Sequence, residues 1–306
     1  MVALGELFGL TVPQVAGSYA PAIIIASIVA VILEIGVLIW WDQQTPESLF
    51  GSIPRRALLV LIVYGVCLQI GFVGFIGLVR NALVTVYSYN VVVAALGLAP
   101  LVIGMVVMTL YSIRRLVYLP ARTVMSGGLL AIGIVIALAV LTRAAGFYPW
   151  LGLLLVVLGA ANVAAGTAWT SLFFTLVPKD AIGMRTGMNS SIIQAGGAIG
   201  GALTSSLLVS FGLADLLRRL AAAGVDSSET EAALSALNTI LDPATSDAGI
   251  DPSIRDRLAA GYQLTFLAAY DRVLLIVAVI CLAGAVVVWF GLPPKERDAR
   301  TLAEET

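Results

Sequence analysis

The chain has 306 residues, of which 60% are apolar and only 11% charged, with a mean hydropathy of +1.02. A soluble domain carries about 25% charged residues, so this composition belongs to an integral membrane protein. The formal net charge of −1 argues against a nucleic-acid partner. The absence of histidine removes His-based metal sites, haem ligation through His, and Ser-His or Cys-His catalytic pairs.

Seven apolar segments are long enough to cross a bilayer. They are Tyr19–Trp41, Ala57–Val79, Tyr89–Tyr111, Thr123–Thr142, Trp150–Leu176, Met188–Phe211 and Val273–Gly291. All are expected to be helices, because an unpaired backbone group in lipid costs several kcal/mol. The N-terminal MVALGELFGLTVPQVAG has no basic n-region and makes a poor signal peptide. Glu34 is the only acid well inside a predicted span. It reads either as a protonatable carboxylate for proton coupling or as a side chain that snorkels to the surface beside Asp42. Cys67 and Cys281 both fall within spans and read as packing residues.

Orientation follows from the basic residues of the short loops. Arg55 and Arg56, then Arg114, Arg115 and Arg122, then Lys179 and Arg185, and finally Lys295, Arg297 and Arg300 fall on one side. The other side offers Arg80 and Arg143 in its short loops and Arg272 at the head of the last span. The positive-inside rule then places the C-terminus in the cytoplasm. One connection is long: residues 213–270 are expected to form a small solvated helical hairpin on the outer face. Leu213, Leu216, Leu217 and Leu220 recur at helical spacing, and Ser228 with Glu231 forms a capping-box pattern. Asp251-Pro252 fits an N-cap followed by proline at the first helical position.

The most informative stretch is VPKDAIGMRTGMNSSIIQAGGAIGGALTSSLLVSF, Val177 to Phe211. Spacings of four pair Gly196 with Gly200 and Gly197 with Gly201, a small-residue stripe along which another helix can approach closely. Such a stripe reads as a static packing seam or as a sliding one. Lys179, Asp180 and Arg185 in the preceding turn read as a cytoplasmic latch or simply as a solvated basic loop. Asn189 and Gln194 lie beside the glycines and suit helix pairing or gating.

This stretch resembles the loop and helix near the end of major facilitator transporters, most closely the fourteen-helix drug:proton antiporter branch. The resemblance rests on Gly183, Gly187, Asn189, Gln194, Gly196, Gly197 and Gly200, on the long outer loop before the last helix, and on SLFGSIPRRALLV before the second span. It implies an all-α membrane protein whose last six helices form one half-bundle built from two inverted three-helix repeats. Residues 1–56 would then hold one extra central-type helix, 57–292 the C-terminal bundle, and 293–306 a cytoplasmic tail. The loop SIRRLVYLPART keeps Arg114, Arg115 and Arg122 but lacks the family's acidic partner and glycine.

In that family the first and fourth helices of each half line the cargo cavity. The resemblance therefore makes Tyr64, Gln69, Phe72, Asn162, Trp169 and Phe173 candidates for cargo contact. Aromatic faces also suit organic cations. The implied function is export of small amphipathic or cationic molecules by alternating access, without cofactor or metal, in the plasma (cell inner) membrane. The implied partners are lipid, the cargo, and an N-terminal half-transporter or a second copy. A structural or regulatory membrane subunit is the alternative. A retinal protein would need a lysine in the last span, and an enzyme would need acid-base groups that the spans do not supply.

Overall fold

A computed structural model describes residues 55–87, 89–115, 119–143, 147–176, 182–222 and 252–292, together with Gly36. Among them every regular element is helical. The long helices are α1 (Arg55–Thr85), α2 (Ala99–Arg115), α3 (Ala121–Ala139), α4 (Phe147–Leu176), α5 (Ile182–Ala222) and α6 (Pro252–Gly291). A short helix, Val91–Leu96, precedes α2, and a 3-10 turn, Val140–Arg143, follows α3. Six stretches are long and apolar enough to cross a membrane, the α2 stretch being measured from Val92. The first predicted span, Tyr19–Trp41, lies outside the described residues apart from Gly36, as do the Ser228 capping box and the tail.

Two expectations about element boundaries need correction. The span expected at Tyr89–Tyr111 is interrupted, because Pro100 has no N–H to donate to the Leu96 carbonyl and its ring clashes with that group. The short helix therefore stops at Leu96, capped at its start by the Asn90 side chain, which accepts from Val93 N at 2.8 Å. Of the outer connection, residues 223–251 lie outside the described residues, and helix occupies both of its ends, as the leucine spacing and Asp251-Pro252 lead one to expect. Helix α5 runs 41 residues and α6 runs 40, each about twice what a bilayer needs. The leucines from Leu213 to Leu220 belong to α5, and Pro252 is the first residue of α6. Finally, the apolar part of α6 opens at Thr265, not Val273, which draws Asp271 and Arg272 into the span.

Successive spans alternate in direction, so the triads α1–α3 and α4–α6 are inverted relative to one another. The packing reflects that relation. Helix α1 lies along α5, and its counterpart α4 lies along α2; α3 packs on α4, and α6 on α1; the third helices, α3 and α6, pack on each other. Each of these relations survives exchange of the two triads, as two inverted repeats require, whereas the α5–α6 packing has no α2–α3 counterpart of similar extent.

Glycines set the closest approaches between the paired helices. In α1–α5, a Cβ on Gly200 would sit 2.8 Å from Ile70 Cα and 3.1 Å from the Gln69 carbonyl oxygen. In α2–α4, a Cβ on Gly104 would strike the Val156 carbonyl, and one on Gly159 would strike the Leu101 carbonyl. Backbone thus meets backbone at equivalent places in both repeats. Lipid tails are as apolar as leucine, so this close van der Waals contact, more than burial from water, holds the helices together. Across α1–α6 the Cys281 thiol faces the Cys67 carbonyl at 3.9 Å, and both cysteines are free.

Candidate functional site

Helices α1, α3 and α4 converge on an aromatic group near the start of α1 and the end of α4. Tyr64, Trp169 and Phe173 are fully buried there. The Tyr64 and Trp169 ring centroids lie 6.4 Å apart, and those of Trp169 and Phe173 6.2 Å, with tilted planes. Their polar handles are committed between helices. Trp169 Nε1 donates to the Leu61 carbonyl at 3.0 Å, and the Tyr64 hydroxyl donates to the Met125 carbonyl at 3.3 Å. Buried Tyr and Trp need such partners, and these bonds fix the rings. Gly65 makes room for the Trp169 indole, since a Cβ there would meet Cζ2 at 2.7 Å.

Three of the six candidate cargo residues, Tyr64, Trp169 and Phe173, thus form one closed cluster. Phe72 and Gln69 are half-buried farther along α1. Gln69 is the residue against which Gly196 packs, with 2.9 Å between a Gly196 Cβ and the Gln69 Cβ. Asn162 on α4 and Asn189 on α5 are also half-buried. Their amide oxygens are shielded from solvent and accept no hydrogen bond.

The four glycines of α5 part into two sets. Gly196 and Gly200 seat on α1, whereas a Cβ on Gly201 would meet nothing within 4 Å and one on Gly197 would only touch Val73 at 3.7 Å. Adjacent helical residues point about 100° apart, so one flat seam uses one pair. The other side of α5 is exposed at Ser190, Gln194, Ala198 and Ser205. These residues are small or polar and lie within its membrane-length stretch, Thr186–Gly212, in which Val209 is the one large apolar side chain that is exposed. By contrast, α2 exposes Val102, Ile103, Val106, Val107 and Leu110, α3 exposes Leu130 and Ile134, and α6 exposes Val279, Val286 and Phe290. The apolar sides suit lipid, and the α5 side does not.

Of the remaining candidates, Glu34, Lys179 and Asp180 lie outside the described residues. Arg185 falls in the first turn of α5, and its side chain lies outside them too. Among the described residues no three His, Cys, Asp or Glu side chains gather as a metal site would need.

The end of α6 carries a basic clamp. Arg56, at the start of α1, donates to the Phe290 carbonyl at 3.1 Å. The Arg122 guanidinium, at the start of α3, lies 4.3 Å over the Trp289 ring. Both cations meet the negative end of the α6 dipole. Arg122→Gln is expected to lower bundle stability by about 1 kcal/mol, and Arg122→Lys by less, as a partly exposed cation–π contact implies. Reversible unfolding in mixed micelles would measure the difference. At the other end, Arg272 of α6 bridges Asp215 of α5 at 3.1 Å. Arg272 is half exposed, so this pair contributes well under 1 kcal/mol and mainly sets direction.

The sequence reading passed over Asp271. It is the one acid in the six described spans. Starting the last span at Val273 excluded it. The unbroken apolar run of Phe266–Ala269 ahead of it was the available signal.

Among solved structures, the fold is similar to that of a bacterial homologue of the human lysosomal transporter Spinster, in its inward-facing and unoccupied conformation. The TM-score is 0.46 and the identity 17%, over 80% of this chain and 50% of the other. The chain therefore spans half the length of that protein. No protein-family model matches it, and no curated protein matches it either.

Proposed function

We propose that this chain is one half of a secondary transporter of the major facilitator type, working by alternating access against a second bundle. The observation that carries the reading is the exposed face of α5. Polar side chains at membrane depth are expensive unless they border water, protein or cargo. Gln194 and Ser190 on an outward-facing stripe therefore call for a cavity or a partner bundle beside α5. The inverted pairing of α1–α3 with α4–α6 supports the same reading, because such repeats rock about a site near the midplane. The shielded amide oxygens of Asn162 and Asn189 add hydrogen-bond acceptors within the bilayer. Cargo that is amphipathic or cationic, moved outward, follows from the family resemblance. The aromatic cluster would support the cavity wall, and Phe72, Gln69 and Asn162 would be the side chains that reach cargo.

Thiol labelling tests the carrying observation. With Cys67 and Cys281 replaced by alanine, Gln194→Cys, Ala198→Cys and Ser205→Cys are expected to react with a polar maleimide in intact membranes. Val106→Cys and Ile134→Cys are expected to stay unreactive. Equal inertness of both sets would remove the basis for a cavity or partner beside α5. Transport itself is expected only when a second bundle is present: liposomes holding this chain as a monomer should show no counterflow of an organic cation. A chain that never supports counterflow with any N-terminal half would instead be a structural subunit.

A further inference from the structure

We propose that the end of α6, flanked by Arg56 and Arg122, holds the headgroup of an anionic phospholipid. Three helices reach one face of the bilayer together there. Arg56 opens the α1 span, Ala121 opens the α3 span and Gly291 closes the α6 span. The two arginines therefore stand at headgroup level. Arg56 is exposed and reaches the Phe290 carbonyl at 3.1 Å, and the Arg122 guanidinium lies 4.3 Å over the Trp289 ring. Adjacent residues of α6 thus bring both cations to one place.

Neither cation is neutralised. Asp215, Asp256 and Asp271 are the only acids among the described residues. Asp271 lies about five helical turns before Phe290, and Asp256 lies farther back. Asp215 is bridged to Arg272, at that same distant level. The Arg122 Nε is shielded from water and donates to nothing, a costly state for a charged donor. The positive ends of α1 and α3 add to the two side chains, each counting for about half a charge, against one negative end on α6. The result is a concentrated positive field without an acidic partner.

The surface that follows favours a lipid over a free anion. Trp289 and Phe290 are 44% and 72% exposed. Arg56, Leu59 and Val63 share one stripe of α1, and the exposed Leu59 and Val63, with Val286 of α6, carry the apolar surface on into the bilayer. Acyl chains can lie along it while the phosphate meets the guanidiniums, a strong charge-assisted pairing. Basic pockets between membrane helices bind anionic headgroups in this way. The site stands whether or not the chain moves cargo.

Trp289 is the local reporter for a test on the full chain in phosphatidylcholine nanodiscs. These contain, at one equal mole fraction, either phosphatidylglycerol or phosphatidylcholine with brominated acyl chains, because bromine quenches a tryptophan that it touches. In each background the Trp289 share of the emission is the difference from Trp289→Phe. Brominated phosphatidylglycerol is expected to quench that share more strongly, as an enrichment of about fivefold for each arginine implies. The ratio between the two lipids is read, since a displaced ring would change both alike. The preference is expected to shrink in Arg56→Gln, to vanish when Arg122→Gln is added, and to persist in Arg80→Gln. Equal quenching by the two lipids overturns the site, as does an unchanged preference in the double variant. Should the double variant not fold, an unchanged preference in Arg56→Gln has the same force. Loss of the preference in inorganic phosphate, but not in chloride of equal ionic strength, would assign a free anion and overturn the lipid.

Discussion

Gly200→Leu is expected to destabilise the bundle by about 3 kcal/mol, the upper part of the range for overpacking a tight interface. A Cβ on Gly200 already falls 2.8 Å from Ile70 Cα, and the neighbouring atoms are backbone. Backbone cannot turn aside as a side chain can, so α5 must lift from α1 along its length. In hydrocarbon that separation forfeits the contacts that hold the two helices together. Gly104→Leu should act alike in α2–α4, where the obstacle is the Val156 carbonyl. Gly201→Ala supplies the control. It lies one residue along the same helix, faces open space, and should change stability by less than about 0.5 kcal/mol. Unfolding titrations of the three variants in mixed micelles would decide the matter. Equal losses for Gly200→Leu and Gly201→Ala would contradict the seam described above.

Trp169→Ala should cost about 3 kcal/mol. In water the same truncation costs about 3–5 kcal/mol, the sum of a transfer part and a cavity part. Within a membrane bundle the transfer part is small, which leaves the cavity and the lost bond from Nε1 to the Leu61 carbonyl. The hole would open between Tyr64, Gly65 and Phe173, all of which rest on the indole. Trp169→Phe keeps most of the ring and loses the bond, so its cost should be about 1 kcal/mol. Trp150→Ala should cost far less, because that ring is 54% exposed. If Trp169→Ala and Trp150→Ala proved equal, the aromatic group would not be a structural centre.

How much of this was legible beforehand differs from element to element. The apolar runs gave α1, α3, α4 and the central part of α5 to within several residues at most ends, since length and hydropathy are local properties. Proline at position 100 was equally local, yet it does not by itself announce a break, because many membrane helices re-satisfy the freed carbonyl. Here the chain breaks. The start of the α6 span was placed late, at Val273, because Asp271 and Arg272 interrupt the apolar signal while the helical backbone continues unchanged.

The site residues show the same divide. Tyr64, Trp169 and Phe173 could be chosen from sequence as aromatics on two helices. Their closure into one cluster, with both polar handles spent on carbonyls of other helices, depends on how α1, α3 and α4 cross. Four glycines in six positions announced a seam on α5, but which pair would serve it was open, because both pairs share the same spacing.

The chain by itself determined that it crosses lipid through a series of helices, with small residues where two of them must touch. Those facts follow from hydropathy and from side-chain size, which each residue carries alone. The tertiary structure decided which glycines meet backbone and which side of α5 turns away from the bundle. Those outcomes depend on crossing and rotation between helices distant in the chain, and no local pattern encodes the angle at which two such surfaces meet.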